Sequence, residues 1–484
     1  MLTLFASGTG ASPALAVGRE ANVPDLQFQP VRPPHSVTVR EAVAVALRNY
    51  PKIAEKQFKL RAAKANIALA KTQYLPNINA DFQEDAVTNN RISTNVMNNV
   101  SGFDTVPVNA GPSSTSSNMK LAMNSLQGLN FNWLIVDGGL RKANDNVAYA
   151  DARTARADVS LTKLDVAFDA ADAFLDAVSA KQVINSTTAA LDHMEAAKLR
   201  AKTLVSEGLK PGVEAANWDY EVSKAKIGLL KAQEDTELAL VDLSEKMGIA
   251  SHDLDVISNP LVRRPMAAAE QNPFNLQSHP LALFKTAEID RWRAKEILLD
   301  KAWRPHVWIN SSLWGLGNSQ NTTINPIKPV AGGVLPQTFN YMIGATYSFP
   351  FMEYFPLKAQ KDMARSNELA AKADFDLAMQ ILERKDARAR IILSKTKKIA
   401  AETPTLVESA RVREINELKR YSTGLTNMVS LAAAEKALAE AQVEDAIAQV
   451  EVWRAILKLS YVQGDLRPFL QLVEIVENST GENK

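Results

Sequence analysis

The chain has 484 residues, enough for several compact domains or one elongated body, and its formal net charge of +1 gives no electrostatic basis for nucleic-acid binding. It contains no cysteine, which excludes disulfides, thiolate metal sites and a cysteine nucleophile, and leaves no residue to carry a diacylglyceryl anchor. No run of eighteen apolar residues occurs, so any membrane crossing has to be made by β-strands.

Residues 1–37 read as a leader. Met1 to Val17 is small and apolar, and Ala14-Leu15-Ala16 has the form of a signal-peptidase site, but a basic flank is missing. The segment is read either as the remnant of a signal peptide that starts further upstream or as a disordered leader. Thr38 with Glu41 has the spacing of a capping box and opens a helix that reaches about Tyr74. Pro51 kinks or divides it, and Pro76 ends it.

After Pro76 the period changes. Ile78, Ala80 and Phe82 alternate with polar residues, as in a strand. A polar loop fills 87–118, and a second strand returns over 120–136 with Leu129, Phe131, Trp133 and Ile135 on one face. Asp137-Gly138-Gly139 turns into a helix that runs without glycine or proline from Leu140 to Glu207. At about 1.5 Å per residue it is roughly 100 Å long, far beyond the helices of compact domains. One apolar line follows Leu161, Leu164, Phe168, Ala171, Leu175 and Val178, and another follows Val166, Ala170, Ala173, Ala177 and Ala180. Asp151, Asp158, Asp165, Asp169, Asp172 and Asp176 form an acidic stripe between them. Such a helix is shaped like a stave, flanked on both sides and showing its acids to water. Whether those acids would face a lumen or the outside stays open at this point.

A turn at Gly208 leads to a helix from Val213 to Met247, and Gly248 stops it. Residues 249–277 read as a linker. Then the order repeats: a helix opened by His279-Pro280 and closed before Pro305, and a strand through Val307, Ile309 and Leu313. A polar loop at 315–338 precedes an alternating strand from Tyr341 to Phe351. A long helix from Pro356, interrupted at Pro404, a turn at Gly424, and a last helix to about Val462 complete the second half. Pro51 and Pro76 lie 229 residues before Pro280 and Pro305, and Gly208 and Gly248 lie 216 before Gly424 and Gly464. The expected division is 38–248 as a first repeat and 278–466 as a second, with a short polar tail over 467–484.

Each half supplies one hairpin whose strands suit a membrane span of about 9–11 residues. Four strands cannot close a barrel, and open edges are not tolerated in lipid. Membrane insertion therefore requires oligomerisation, and three copies would supply twelve strands. Trp133, Trp308, Trp314, Tyr341, Tyr347 and Phe349 are placed as membrane-interface aromatics. The five histidines are scattered without ligand spacing, and no phosphate loop or nucleophile elbow occurs, so no catalytic, cofactor or metal site is expected.

The duplicated order resembles the TolC-like outer-membrane efflux proteins from about Val37 to Leu466. Its local marks are Val39-Arg40-Glu41-Ala42 through Asn49-Tyr50-Pro51, Tyr74-Leu75-Pro76, Trp133 through Arg141, Gly208-Leu209, and Tyr421 through Leu425. The resemblance implies a mainly α protein with membrane β: a homotrimer sharing a twelve-stranded β-barrel in outer-membrane lipid above a long α-helical barrel in the periplasm. It implies a passive channel partnered by a periplasmic adaptor and an inner-membrane pump, for efflux or type I secretion. It places Gly208, Leu209, Gly424 and Leu425 at the periplasmic tip that meets the adaptor, and Tyr421 and Glu214 at the gate. Thr426 stands where an arginine often joins them, and Ser430 and Ala433 replace two aspartates of a cation-binding ring. The competing reading of the same helices is a soluble coiled-coil scaffold.

Overall fold

The computed structural model describes residues 36–88, 92–94, 110–113, 121–208, 211–250, 254–258, 261–262, 275–319 and 333–481. Of the leader expected over residues 1–37 only 36–37 are described; residues 1–35, the loop tips and Leu209 lie outside the described residues. The first half runs β1 (Ser36–Val37), α1 (Val39–Asn49), α2 (Pro51–Thr72), β2 (Asn77–Thr88), β3 (Ile92–Thr94), β4 (Ala110–Ser113), β5 (Leu121–Val136), α3 (Leu140–Ser206) and α4 (Val213–Met247). The second runs β6 (Asp255–Val256), α5 (Pro280–Ala302), β7 (His306–Asn318), β8 (Thr338–Ser348), α6 (Tyr354–Ser422), α7 (Met428–Val462) and α8 (Arg467–Gly481).

Local chemistry sets most of these boundaries. The Thr38 hydroxyl accepts from the Glu41 amide at 3.3 Å while the Glu41 carboxylate accepts from the Thr38 amide at 2.9 Å, closing the capping box on α1. Pro51 divides rather than kinks, because it takes the first position of α2, where a missing N–H costs nothing. Pro280 does the same for α5, with His279 as its cap. The two halves also stop their helices alike, with left-handed glycines at Gly208 and Gly424 (φ 72° and 75°) after the long helices.

The helices form a layer four staves wide. α3, 67 residues long, packs against α2 and α4 on one flank and against α5 and α7 on the other. α6, 69 residues long, packs against α5 and α7 in turn. Both apolar lines of α3 are used: Leu164, Ala171, Leu175 and Val178 are buried, and so are Val166, Ala170 and Ala177. The alanines among them let neighbouring backbones approach closely over this stretch of about 20 Å. The main core lies beside α1, the middle of α3, α7 and α8, around Phe174, Leu175, Trp453, Leu457 and Phe469.

α6 is continuous through Pro404, contrary to the interruption expected there. Proline removes the donor for the carbonyl four residues back, that of Ala400. The Gln449 side-chain amide of α7 donates to that carbonyl at 3.3 Å and to Asp445 at 2.9 Å, while the Thr403 hydroxyl donates to Asp445 at 2.6 Å. A neighbouring helix thus satisfies the group that proline orphans. Gln449→Leu is expected to lower stability by about 1–3 kcal/mol, the cost of a buried unsatisfied acceptor, seen as a lower thermal midpoint.

Three further corrections concern segments read as irregular. The polar stretch 87–118 contains the β3–β4 pair. The linker contains β6, which pairs in parallel with β1 through Val37 and Val256. The tail is the helix α8, with Phe469, Leu472 and Val473 buried and the Phe469 ring edge-on to Trp453 at 6.4 Å.

The sheet has the order β2-β5-β7-β8, antiparallel throughout. Its strands have 12, 16, 13 and 11 residues, so three of the four exceed the expected span. The register sorts the side chains into two unlike faces. Ile78 and Ala80 of β2 align with Phe131 and Leu129 of β5, and these with Ser311 and Leu313 of β7 and Ile343 and Tyr341 of β8. On this apolar face Phe82, Tyr341, Ile343 and Tyr347 are 76–80% exposed in one chain. The other face carries Asn79, Asp81, Asn130, Asn310, Ser312 and Thr346, cross-linked by Ser312 to Asn130 at 2.7 Å, Asn130 to Asp81 at 3.1 Å and Asn310 to Thr346 at 2.6 Å.

Candidate functional site

At the end of the layer furthest from the sheet, α3 and α6 terminate and α4 and α7 begin. Gly424 closes α6: its amide donates to Tyr421 at 3.1 Å, and the Leu425 amide donates to Arg420 at 2.8 Å. Leu425, Val429 and Val213 are left exposed on this tip.

The two residues expected at the gate, 207 positions apart, touch here: the Tyr421 hydroxyl donates to a Glu214 carboxylate oxygen at 2.6 Å. Glu214 lies in the first turn of α4, where a negative charge complements the helix dipole. The Tyr421 ring is buried among Ala197 and Ala201 of α3, Trp218 of α4, and Met428 and Leu431 of α7. Burial first, then the Glu214 carboxylate, pushes the phenol up to about 12, so it remains a donor at any ordinary pH. Tyr421→Phe is expected to weaken this junction by about 1.5 kcal/mol, the low end for a bond to a charged acceptor because Glu214 is half exposed. The check is faster amide exchange at the end of α6 with unchanged exchange near Phe174.

Trp218 was not anticipated from sequence. It is fully buried, one helical turn beyond Glu214, and it fills the centre of the tip cluster. A tryptophan at the start of a polar helix, facing a turn that buries an alanine pair opposite, is the available signal.

The acidic stripe is less open than expected. Asp151 meets Arg291 at 3.4 Å, Asp158 meets Lys56 at 2.8 Å, and Asp165 accepts from the Tyr461 hydroxyl at 2.9 Å. Asp172 and Asp176 both pair with Arg454, the first at 3.2 Å. Asp169 shares a recess with Asp172, Asp176, Asp235, Asp242 and Lys246. Partial desolvation there, ahead of the neighbouring charges, holds Asp169 and Asp176 above the usual carboxylate range. Cations from α2, α5 and α7 therefore offset much of the stripe's charge.

The sheet aromatics also divide. Trp133, Tyr341 and Tyr347 lie on the apolar face, and the Trp133 indole donates to the Tyr74 carbonyl at 3.0 Å. Trp308 and Trp314 do not join them. They occupy the alternate positions of β7, opposite Leu134 and Gly128, on the polar face. Trp314 is buried there against Leu126, Leu316 and Met342, and the Trp308 ring stacks on His306 at 5.5 Å. Phe349 lies just past β8, its ring 6.1 Å from Trp303.

With this geometry in hand, the chain can be set beside known proteins. Residues 42–248 match the family model described as outer membrane efflux protein. Over this segment the chain is similar to outer membrane efflux proteins. Solved structures extend the likeness to the second half. A membrane protein from Pseudomonas aeruginosa matches with a TM-score of 0.72 at 15% identity, covering 88% of this chain and 92% of its own. The outer membrane protein VceC from Vibrio cholerae matches with 0.69 at 14% identity, covering 88% and 96%. The MtrE outer membrane channel of Neisseria gonorrhoeae, solved in its open state, matches with 0.66 at 14% identity, covering 88% and 89%. At these identities the likeness establishes the fold of this chain. No curated protein sequence matches the chain.

Proposed function

We propose that three copies of this chain close a twelve-stranded barrel in the outer membrane and continue into a helical barrel across the periplasm. The observation that carries the reading is the sheet: an apolar outer face with β2 and β8, among the described residues of one chain, each unpaired along one edge. Hydrocarbon accepts neither free edge, and joining β8 of one copy to β2 of the next satisfies both. The outer stave positions repeat the theme, since α4 leaves Ile227, Leu230 and Leu238 exposed and α6 leaves Ile381, Ile391 and Ile399 exposed. Such surfaces call for a helical neighbour.

In this assembly the polar sheet face lines the pore, and the two repeats 38–248 and 278–466 contribute two staves each. The tip at Gly208, Leu209, Gly424 and Leu425 meets a periplasmic adaptor, and the Tyr421–Glu214 bond helps hold the mouth shut. An inner-membrane pump delivers the substrate, and the channel conducts it passively to the exterior. Because much of the acidic stripe is paired, any cation preference arising from it is modest. A soluble scaffold would leave the apolar sheet face without a role.

Planar-bilayer conductance of detergent-extracted protein tests the reading. Discrete steps that lengthen when Tyr421 is replaced by Phe are the expected result. A protein that remains in solution and never inserts would contradict it.

A further inference from the structure

Between Pro404 and the tip, α6 and α7 are held by two apolar layers. Ala410, Leu438 and Ala441 form the upper layer, and Tyr421, Met428 and Leu431 belong to the lower. Glu414 of α6 and Glu435 of α7 lie between them. They are 8% and 6% exposed, and their carboxyl groups are within hydrogen-bonding reach of each other. Two ionised carboxylates in contact and out of water would repel at close range with little solvent to screen them. Among the described residues the other charge acting on Glu435 is Arg200 of α3. A single arginine cannot neutralise two carboxylates.

We propose that Glu414 and Glu435 form a proton-operated clasp between α6 and α7. With one shared proton the pair is a hydrogen bond that fastens the two helices. When that proton leaves, the pair becomes a buried like-charge contact that pushes them apart. The clasp requires only the packing of α6 on α7; its bearing on the mouth of a channel rests on the function proposed above. Glu435 sits about 15 Å up the helix from the tip, so loosening at the pair is transmitted directly to the Tyr421 junction. Acidification of the periplasm would fasten the tip, and neutral or alkaline conditions would free it.

The pH window follows from the carboxyl itself. Burial first, then Glu414, pushes Glu435 up to about 7. Its folded-state value lies above the ordinary one, so the paired helices bind the proton more tightly than the separated ones do. The stabilisation is complete below the ordinary glutamate range and is lost as pH rises toward about 7.

The test is amide hydrogen exchange over 408–440 in the full-length protein, compared at equal pH with Glu435→Gln so that intrinsic exchange chemistry cancels. Local opening of the wild type relative to the variant is expected to rise about tenfold between pH 6 and pH 8. Glu414→Gln, which removes the repelling partner, should flatten the same profile. A wild-type-to-variant ratio equal at both pH values would overturn the clasp. Because the readout is local exchange, it is independent of whether the protein conducts.

Discussion

Ile343→Arg is expected to keep the protein out of the membrane. Ile343 lies midway along β8, is 76% exposed, and shares the apolar face with Tyr341 and Leu129. An arginine on the lipid side of a barrel strand costs about 2–4 kcal/mol at the bilayer midplane. In a closed trimer the charge appears three times, so the total is roughly 6–12 kcal/mol. Asn340→Arg provides the control. Asn340 is three residues away and lies opposite Trp314 on the polar face, where a charge can reach water. Membrane flotation should separate the two variants cleanly. Equal flotation would mean that the apolar face does not meet lipid.

Trp218→Ala is expected to have the largest effect at the other end of the molecule. Truncating a fully buried tryptophan costs about 3–5 kcal/mol. The tip cluster of Ala197, Ala201, Trp218, Tyr421, Met428 and Leu431 is separate from the main core around Phe174 and Trp453. The loss is therefore local, because nothing in the distant core compensates for it or follows it. Residues flanking the two tip turns should become susceptible to protease, while the sheet and the upper staves remain resistant. Cleavage spread evenly along the chain would show instead that Trp218 supports the whole fold.

Much of this architecture is written in single residues. Thr38 with Glu41, Pro51, Pro76, Pro280 and Pro305, and the glycines that end each long helix act through local sterics and capping, so they can be read without knowing the fold. The two apolar lines of α3 are equally legible, since helical geometry alone places them. The face of each hairpin strand was also legible in principle. Val307, Ile309 and Leu313 fix the apolar set of β7, and Trp308 and Trp314 fall on the alternate set by counting. Reading them as membrane aromatics gave residue type precedence over register.

The remainder depended on contacts that no local pattern contains. Pro404 reads as a break until Gln449, 45 positions later, supplies the donor for Ala400. The acidic stripe reads as open charge until Lys56, Arg291 and Arg454 arrive from three other helices. β1 and β6 have two residues each, too few to show any period. α8 was hidden by Pro468, which reads as a stop but sits at the start of a helix, where proline is well tolerated. The pairing of Tyr421 with Glu214 came from the family resemblance, and the burial that surrounds it from Trp218 was not foreseen.

The most direct measurement is the mass of the detergent-extracted assembly in its native state. Closure of the sheet predicts a single species at three times the mass of the mature chain, plus bound detergent or lipid. A monomer, or an assembly released without detergent, would contradict a barrel completed by three copies.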